Sequence, residues 1–122
     1  MHKILIIEDE VSVRKILADK FKKEGFGISE AKDGVEGLKK AKKERPAIIL
    51  LDIIMPKMDG LTMLKKLRRD EWGKDAKVLV LTNLSDATSV ENALEAGVHD
   101  FLVKADWKLE DLVKKVKDKI KL

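Results

Sequence analysis

The run Ala47-Ile48-Ile49-Leu50-Leu51 is the feature that most limits what this chain can fold into. It has the length of one strand, is entirely apolar and shows no alternation between apolar and polar residues. Such a run is typical of a parallel strand that helices bury on both faces. Asp52 follows directly, so the strand is predicted to carry a carboxylate to its carboxyl end, where ligands bind in open α/β sheets. Taken alone, this Asp could equally serve only to solvate a turn.

Helical patterns alternate with strand-like runs over the rest of the chain. Strands are also predicted at residues 3–7, 28–31, 78–82 and 101–103, and a helix follows each strand. This alternation predicts a parallel sheet with helices on both faces, in a single α/β domain over residues 1–122. The residues that mark the five helices are Val13, Ile16, Leu17 and Phe21; Val35, Leu38 and Ala41; Leu61, Leu64 and Leu67; Val90, Ala93 and Leu94; and Leu109, Leu112, Val113, Val116 and Ile120.

Glycine, proline and capping residues set the predicted ends of these helices. Glycine favours the position just after a helix, and proline cannot continue one. On this basis Gly25 ends the first helix, Asp33-Gly34 forms a turn, Pro46 ends the second helix, the third ends near Trp72-Gly73, and the fourth begins at Ser85 or Asp86 and ends at Gly97.

Composition excludes several classes of protein. The chain is 44% hydrophobic, enough for one core, and has no cysteine, which excludes disulfides and thiolate chemistry. Glu8 and Asp9 interrupt the first apolar run, so no secretory signal is expected, and no run is long enough to cross a membrane. We therefore expect a cytoplasmic protein. The net charge of +4 is interpreted as solvated, lysine-rich helix surface rather than as a nucleic-acid interface.

Polar side chains follow four of the predicted strands. Glu8 and Asp9 come after the first strand, Asp52 after the third, Thr82 at the end of the fourth and Lys104 after the fifth. Because parallel strands place their carboxyl ends at one edge of the sheet, these residues are expected to converge. Clustered carboxylates repel one another unless a cation lies among them, and Mg²⁺ prefers oxygen ligands.

This set of residues predicts a Mg²⁺-assisted phosphoryl acceptor. With Mg²⁺ bound, the carboxylate of Asp52 could attack phosphorus and become an acyl phosphate. Lys104 could bring a positive charge to one phosphoryl oxygen, and Thr82 could donate a hydrogen bond to another. Plain structural roles stay open for each residue alone: Glu8 and Asp9 could cap the next helix, Thr82 could be an ordinary strand residue, and Lys104 a surface lysine.

Four segments of the chain contain the polar residues at the predicted strand ends. They are Ile4-Leu5-Ile6-Ile7-Glu8-Asp9-Glu10, Leu50-Leu51-Asp52-Ile53-Ile54-Met55-Pro56-Lys57-Met58-Asp59-Gly60, Val78-Leu79-Val80-Leu81-Thr82 and Ala96-Gly97-Val98-His99-Asp100-Phe101-Leu102-Val103-Lys104. In this order the segments resemble the receiver domains of two-component response regulators, of the single-domain chemotaxis-regulator type. The resemblance covers essentially the whole chain. It implies a flavodoxin-like fold with five parallel strands in the order 2-1-3-4-5 and five helices.

The resemblance also implies roles for the residues at the sheet edge. Asp52 is the phosphoacceptor in that pattern. Asp9 and Asp52 bind Mg²⁺ directly, together with the backbone carbonyl of Ile54, and Glu8 binds it through a water. A histidine kinase or phosphotransfer protein supplies the phosphoryl group. Because such domains act only on themselves, the chain is not expected to be an enzyme that turns over a substrate.

In the resembled family, phosphorylation signals by shifting the equilibrium between conformations of the domain. Thr82 and Lys104 contact the phosphoryl group, Thr82 moves toward it, and Phe101 fills the space that Thr82 leaves. The face made by the fourth helix, fifth strand and fifth helix then changes its affinity for a downstream output protein. Plain core packing is the other interpretation of Phe101. No DNA-binding or enzymatic output segment is expected to follow the last helix.

Three departures from the family pattern bear on the site. Ala105 follows Lys104 where proline in a cis peptide is usual, and a cis bond before a non-proline residue costs about 3 kcal/mol. Asn83 replaces a small residue and could crowd the path of the preceding Thr. Ile54 and Leu84, which flank the phosphoryl site, are apolar and cannot orient water, so slow loss of phosphate is predicted.

Other functional classes fit the sequence less well. A constitutive, non-phosphorylated interaction module would not need Asp9, Asp52, Thr82 and Lys104 together. A phosphohydrolase with an Asp nucleophile commonly needs a second Asp two residues later, where this chain has Ile54. A nucleotide-binding protein would need a glycine-rich loop after the first strand, which is absent from the sequence. DNA binding through lysine-rich faces would require steep salt dependence.

Overall fold

A five-stranded parallel sheet forms the centre of the computed structural model, which describes residues 2–52, 60–82, 91, 95, 101–103 and 108–121. The strand order β2-β1-β3-β4-β5 agrees with the order that the resemblance implied. The predicted fourth helix lies outside the described residues, apart from Glu91 and Glu95, which are helical. The strands are β1 Lys3–Ile7, β2 Gly27–Ala31, β3 Ile48–Asp52, β4 Val78–Thr82 and β5 Phe101–Val103.

Four helices cover the sheet in the described part of the chain. Helices α1 and α4 lie on one face, and α2 and α3 lie on the other. Helices are numbered here in the described part of the chain, so α4 corresponds to the fifth and last of the predicted helices. Among the described residues, no helix is both long and apolar enough to cross a bilayer. The helices are α1 Val11–Lys23, α2 Gly34–Glu44, α3 Gly60–Arg68 and α4 Leu109–Lys119, with a short 3₁₀ helix at Gly73–Asp75.

Strand β3 is the middle strand, and all five of its residues are buried. Successive side chains of a strand point to opposite faces, so alternate residues enter two separate cores. Ile49 and Leu51 pack with helices α2 and α3, whereas Ile48 and Leu50 pack with α1 and α4. An apolar strand without alternation is therefore what this position requires, as the sequence predicted.

Two of the apolar residues used to predict helices are exposed. Helix α1 packs on the sheet through Leu17, Ala18 and Phe21, while Ile16 is solvent-exposed. In helix α2, Val35 is exposed, and Gly34, Gly37 and Ala41 form the buried face. Both helices exist as predicted, but their faces were assigned partly wrongly, because small residues allow a helix to approach the sheet closely.

The third helix is shorter than predicted. It ends at Arg68 rather than near Trp72-Gly73. The carboxylate of Asp70 accepts hydrogen bonds from the backbone N–H groups of Trp72 (3.1 Å) and Gly73 (3.0 Å), which turns the chain. Arg68 Nη1 donates to the carbonyls of Gly73 (2.7 Å) and Ala76 (2.9 Å), so side chains at the end of the helix hold the backbone that follows it in a turn.

The segments around strand β2 agree with the sequence in part. Gly25 has a φ of 93° just after helix α1, the left-handed conformation for which a glycine was predicted there. Strand β2 begins at Gly27, one residue before the predicted start. Asp33 does more than form a turn with Gly34, because its carboxylate accepts a hydrogen bond from the N–H of Glu36 (2.8 Å) and caps helix α2.

Candidate functional site

The register of the sheet brings two acidic residues side by side at its carboxyl edge. Ile7 of β1 pairs with Leu51 of β3, so Glu8, just after β1, and Asp52 lie at the same level. Strand β3 spans Ile48–Asp52, so Asp52 is its last residue rather than, as the sequence predicted, the residue after it. The order of strands reverses between β1 and β3, and such switch points are where open α/β sheets leave a crevice for ligands. The pairing of the backbone therefore places Glu8 and Asp52 close together, as predicted.

Three carboxylates form a cluster at this edge. One carboxylate oxygen from each of Glu8, Asp9 and Asp52 lies within 4.8 Å of the other two. Glu8 and Asp52 are only 1% and 6% exposed, whereas Asp9 is open to solvent. Bringing carboxylates together in a partly dry crevice costs free energy through charge repulsion and lost hydration. A cation bound among them would offset that cost.

The donor set fits Mg²⁺. All three groups supply oxygen, the ligand type that this ion prefers, and Mg²⁺ commonly takes one or two carboxylates and keeps several waters. Two direct ligands of one Mg²⁺ lie at most about 4.2 Å apart, given metal–oxygen distances of about 2.1 Å. Separations up to 4.8 Å therefore suit a mixture of direct ligands and ligands that act through water. Asp9, Asp52 and Glu8 are the described residues that would hold the ion.

The alternative that Glu8 and Asp9 serve only to cap helix α1 has little support. The N-cap of that helix is Glu10, and its side chain makes no capping hydrogen bond. Glu8 and Asp9 precede that cap, and the first turn of the helix contains no acidic residue. The acidic segment is instead attached to the sheet, because the N–H of Glu8 donates to the carbonyl of Ala31 in β2 (3.0 Å).

Arg14, which is not among the predicted site residues, contacts this segment. Its Nη1 donates to the backbone carbonyl of Glu8 (2.9 Å), and its Nε donates to the carboxylate of Glu30 in β2 (3.2 Å). A sequence signal did exist. A cation in the first turns of a helix is opposed by the helix dipole, so an arginine there calls for a nearby acceptor.

The remaining predicted site residues are described only in part. Thr82 ends β4, and its backbone pairs with Val103 of β5. Phe101 begins β5 opposite Val80. The side chains of Thr82 and Phe101 lie outside the described part of the structure, as does the whole of Ile54.

Lys104 and the three departures from the family pattern also fall on residues that the structure does not describe. These departures are Ala105 with its peptide bond to Lys104, Asn83, and the apolar pair that includes Leu84. The predicted roles of these residues, and the prediction of slow phosphate loss, remain predictions.

Comparison with known proteins identifies one family. The family described as "Response regulator receiver domain" matches residues 4–117. The chemotaxis protein CheY of Bacillus subtilis is 34% identical, and the match covers 93% of this chain and 96% of that protein. The probable transcriptional regulator ycf27 of Porphyridium aerugineum is 39% identical over 84% of this chain and 41% of that protein. The chain spans about two-fifths of the length of the ycf27 regulators it matches.

Solved structures agree with the fold. The receiver domain of the sensor histidine kinase PA1611 from Pseudomonas aeruginosa PAO1 superposes with a TM-score of 0.89 at 26% identity. The match covers 99% of this chain and 98% of that one. That structure has a magnesium ion coordinated in its active site cleft.

Proposed function

Since the chain belongs to the response regulator receiver domain family, we propose that it is the phosphoacceptor of a two-component phosphorelay and that Asp52 receives the phosphoryl group. The observation that carries the proposal is the cluster of Glu8, Asp9 and Asp52 at the carboxyl edge of the sheet, with oxygens within 4.8 Å of one another. The magnesium ion in the active site cleft of the similar PA1611 domain supports Mg²⁺ as the ion for this cluster.

The chemistry follows from the arrangement of the carboxylates. A carboxylate oxygen of Asp52 attacks the phosphorus of a phosphohistidine, an oxygen–phosphorus bond forms, and the phosphorus–nitrogen bond of the donor breaks. Mg²⁺ would offset charge on the transferring oxygens. Glu8 and Asp9 would hold that cation beside the nucleophile. Asp52 is only 6% exposed, so little water competes at its oxygens. Lys104 and Thr82 are proposed to contact the phosphoryl oxygens.

The proposed partners are a histidine kinase or phosphotransfer protein as donor and a downstream output protein as receiver of the signal. Phosphorylation would shift the equilibrium between two conformations of a face that includes β5 and helix α4, with Thr82 and Phe101 as the switch residues. We expect these encounters in the cytoplasm. The chain is proposed to turn over no external substrate, because Ile54 offers no carboxyl group at the position where Asp-based phosphohydrolases commonly need one. The alternative is constitutive binding by the same face without phosphorylation.

Phosphorylation by acetyl phosphate tests the proposal. We expect a phosphoryl adduct by intact mass in the presence of Mg²⁺, no adduct with EDTA, and no adduct in Asp52→Asn. Asp19→Asn is the matched control, because Asp19 is exposed on helix α1 and should be labelled like the wild type. Absence of an adduct in the wild type, or an adduct that survives in Asp52→Asn, would contradict the proposal. The first outcome would favour the constitutive alternative.

The same labelled protein tests the prediction of slow phosphate loss. After acetyl phosphate is removed, the adduct should persist for many minutes at neutral pH, because Ile54 and Leu84 provide no polar group to orient an attacking water. Ile54→Asn should shorten that lifetime several-fold. A wild-type lifetime of seconds to a minute would show that the apolar flanks do not protect the acyl phosphate.

A further inference from the structure

Arg14 joins two parts of the molecule at the edge of the acidic cluster. It lies on helix α1, and its guanidinium bonds at once to the carbonyl of Glu8 (2.9 Å) and to the carboxylate of Glu30 on β2 (3.2 Å). Its side chain is only 19% exposed. Holding a charged guanidinium in this position costs hydration, so the two acceptors must make up for that cost.

The position of Arg14 is unfavourable for a cation on general grounds. Its backbone N–H makes the first hydrogen bond of helix α1, to the carbonyl of Glu10 (2.9 Å), so the side chain stands at the positive end of the helix dipole. A metal ion bound by Glu8, Asp9 and Asp52 would add a second positive charge nearby. The ion pair with Glu30 offsets the cost of this charge, but a positive charge beside the cluster would weaken cation binding rather than assist it, so any benefit of Arg14 to the site must be geometric.

The peptide group between Glu8 and Asp9 is the part of the site that Arg14 holds. The N–H of Glu8 is bonded to Ala31 of β2 (3.0 Å), and the carbonyl of Glu8 is bonded to Arg14. A peptide group is planar, so a fixed carbonyl also fixes the direction in which the chain enters Asp9. Asp9 is the exposed carboxylate of the cluster and has the most freedom to turn away from it.

We propose that Arg14 is a positioning residue, which sets the affinity of the Glu8–Asp9–Asp52 cluster for divalent cations by fixing the peptide between Glu8 and Asp9. This inference rests on the proposed function, because it takes the cluster to be a cation site. It assigns to Arg14 and its anchor Glu30 a part in phosphoryl acceptance although neither touches the phosphorus. Loss of an outer partner of a metal site typically lowers metal affinity about 10- to 100-fold.

The positioning role and a purely electrostatic role predict different cation affinities for two variants of Arg14. Arg14→Lys keeps the positive charge but loses the fork that reaches two acceptors, so positioning predicts weaker cation binding and electrostatics predicts no change. Arg14→Met removes the charge as well. Electrostatics alone then predicts tighter binding, because a repelling charge is gone, whereas positioning again predicts weaker binding.

The experiment measures Mn²⁺ binding by the electron paramagnetic resonance signal of the free ion. Mn²⁺ takes the same carboxylate and water ligands as Mg²⁺ and is visible in this measurement. Arg14→Lys is compared with the wild type and with Lys20→Met. Lys20 lies on the same helix and pairs with Glu24 (3.7 Å) and Glu110 (2.6 Å), away from the cluster. Urea unfolding in EDTA records the stability of each variant without metal.

We expect Arg14→Lys to bind Mn²⁺ about tenfold more weakly, at the low end of the usual range, because lysine keeps one of the two contacts. Arg14→Met should bind more weakly still, and Lys20→Met should bind like the wild type even if it unfolds at lower urea. Unchanged binding in Arg14→Lys, or tighter binding in Arg14→Met, would overturn the inference. The inference would also be overturned if Lys20→Met lost Mn²⁺ affinity in proportion to its loss of stability, since affinity would then follow stability alone.

The outcomes also separate this inference from the proposed function. A wild-type protein that binds no Mn²⁺ and takes no phosphoryl group from acetyl phosphate would overturn both. If the wild-type protein binds Mn²⁺ and is labelled by acetyl phosphate, and Arg14→Lys matches it in both measurements, only the role of Arg14 is overturned. Acetyl phosphate labelling gives a second readout, in which Arg14→Lys should need about tenfold more Mg²⁺ for half-maximal labelling.

Discussion

At the scale of single residues, two glycines lie where a side chain would collide with a neighbour. A Cβ added to Gly37 in helix α2 would lie 2.5 Å from Cδ1 of Ile7, the end of a flexible side chain. A Cβ added to Gly73 would meet the backbone carbonyl oxygen of Leu67. Ile7 directly precedes Glu8, so the close approach of α2 also packs the strand that carries the acidic pair.

These two glycines are predicted to differ in their tolerance of alanine. Gly37→Ala should lower the free energy of unfolding by no more than about 2 kcal/mol, because overpacking of about 1–3 kcal/mol is partly offset by about 1 kcal/mol of helix propensity. Gly73→Ala should cost at least about 3 kcal/mol, because backbone must move. Urea unfolding checks both. An equal loss of unfolding free energy in the two variants would show that the side chain of Ile7 cannot move aside.

At the scale of elements, a chain of charges connects helices α1 and α4. Lys20 bonds to Glu110 (2.6 Å) and lies 3.7 Å from Glu24, and Glu24 bonds to Lys117 (2.8 Å). The hydrogen bond from Lys117 lowers the pKa of Glu24, and the hydrogen bond to Glu110 raises the pKa of Lys20. Helix α4 belongs to the proposed output face, so these contacts tie that face to the helix that carries Arg14.

The pH dependence of stability should report this charged chain. A lowered pKa means that Glu24 stabilises the fold above its ordinary pKa of 4.5, and that this contribution is lost as pH falls through the lower, folded value. Lys20 behaves oppositely, and its contribution is lost as pH rises through its raised pKa. Glu24→Gln should therefore be less stable than the wild type at neutral pH by a small amount that shrinks in acid.

Urea unfolding at several pH values and salt concentrations measures this difference. High salt should reduce it, because the charges are near solvent. Glu71→Gln is the control, since Glu71 is exposed outside the helices and its substitution should leave the acid dependence unchanged. A difference between Glu24→Gln and the wild type that stays constant from neutral pH into acid would rule out the charged chain as its cause.

At the scale of the whole molecule, one sheet separates two apolar cores. Leu64 of α3 lies in the core shared with α2, and Phe21 of α1 lies in the core shared with α4. Every central strand contributes alternate residues to both cores, so neither core can lose its packing without disturbing the sheet. Trp72 packs against the core that contains Leu64 and serves as a probe of that side.

Truncation on either face is therefore predicted to destabilise the whole domain in one transition. Leu64→Ala should cost about 2–5 kcal/mol and Phe21→Ala about 3–5 kcal/mol. With Trp107→Phe as background, the fluorescence of Trp72 reports one face, and far-ultraviolet circular dichroism reports the whole chain. The two transitions should coincide in Phe21→Ala, although Phe21 is on the other face. Separate midpoints would show that the two faces unfold independently.

Much of the site could be predicted because it depends on local patterns. The apolar run before Asp52 predicted a buried strand, and Glu8 and Asp9 follow a second such run, so parallel pairing alone brought them together. Arg14 could not be selected in the same way. Its partner Glu30 is 16 residues away and on another strand, and their contact depends on how helix α1 lies across β2.

The sequence by itself determined the alternation of strands and helices in the described part of the chain, the burial of the central strand and the acidic residues at the carboxyl ends of β1 and β3, because these depend on side-chain periodicity and backbone sterics over a few residues. Only the tertiary structure decided the register that sets Glu8 level with Asp52, the exposed faces that carry Ile16 and Val35, and the bonds of Arg14. Those features depend on how elements distant in sequence pack together, which short-range patterns do not encode.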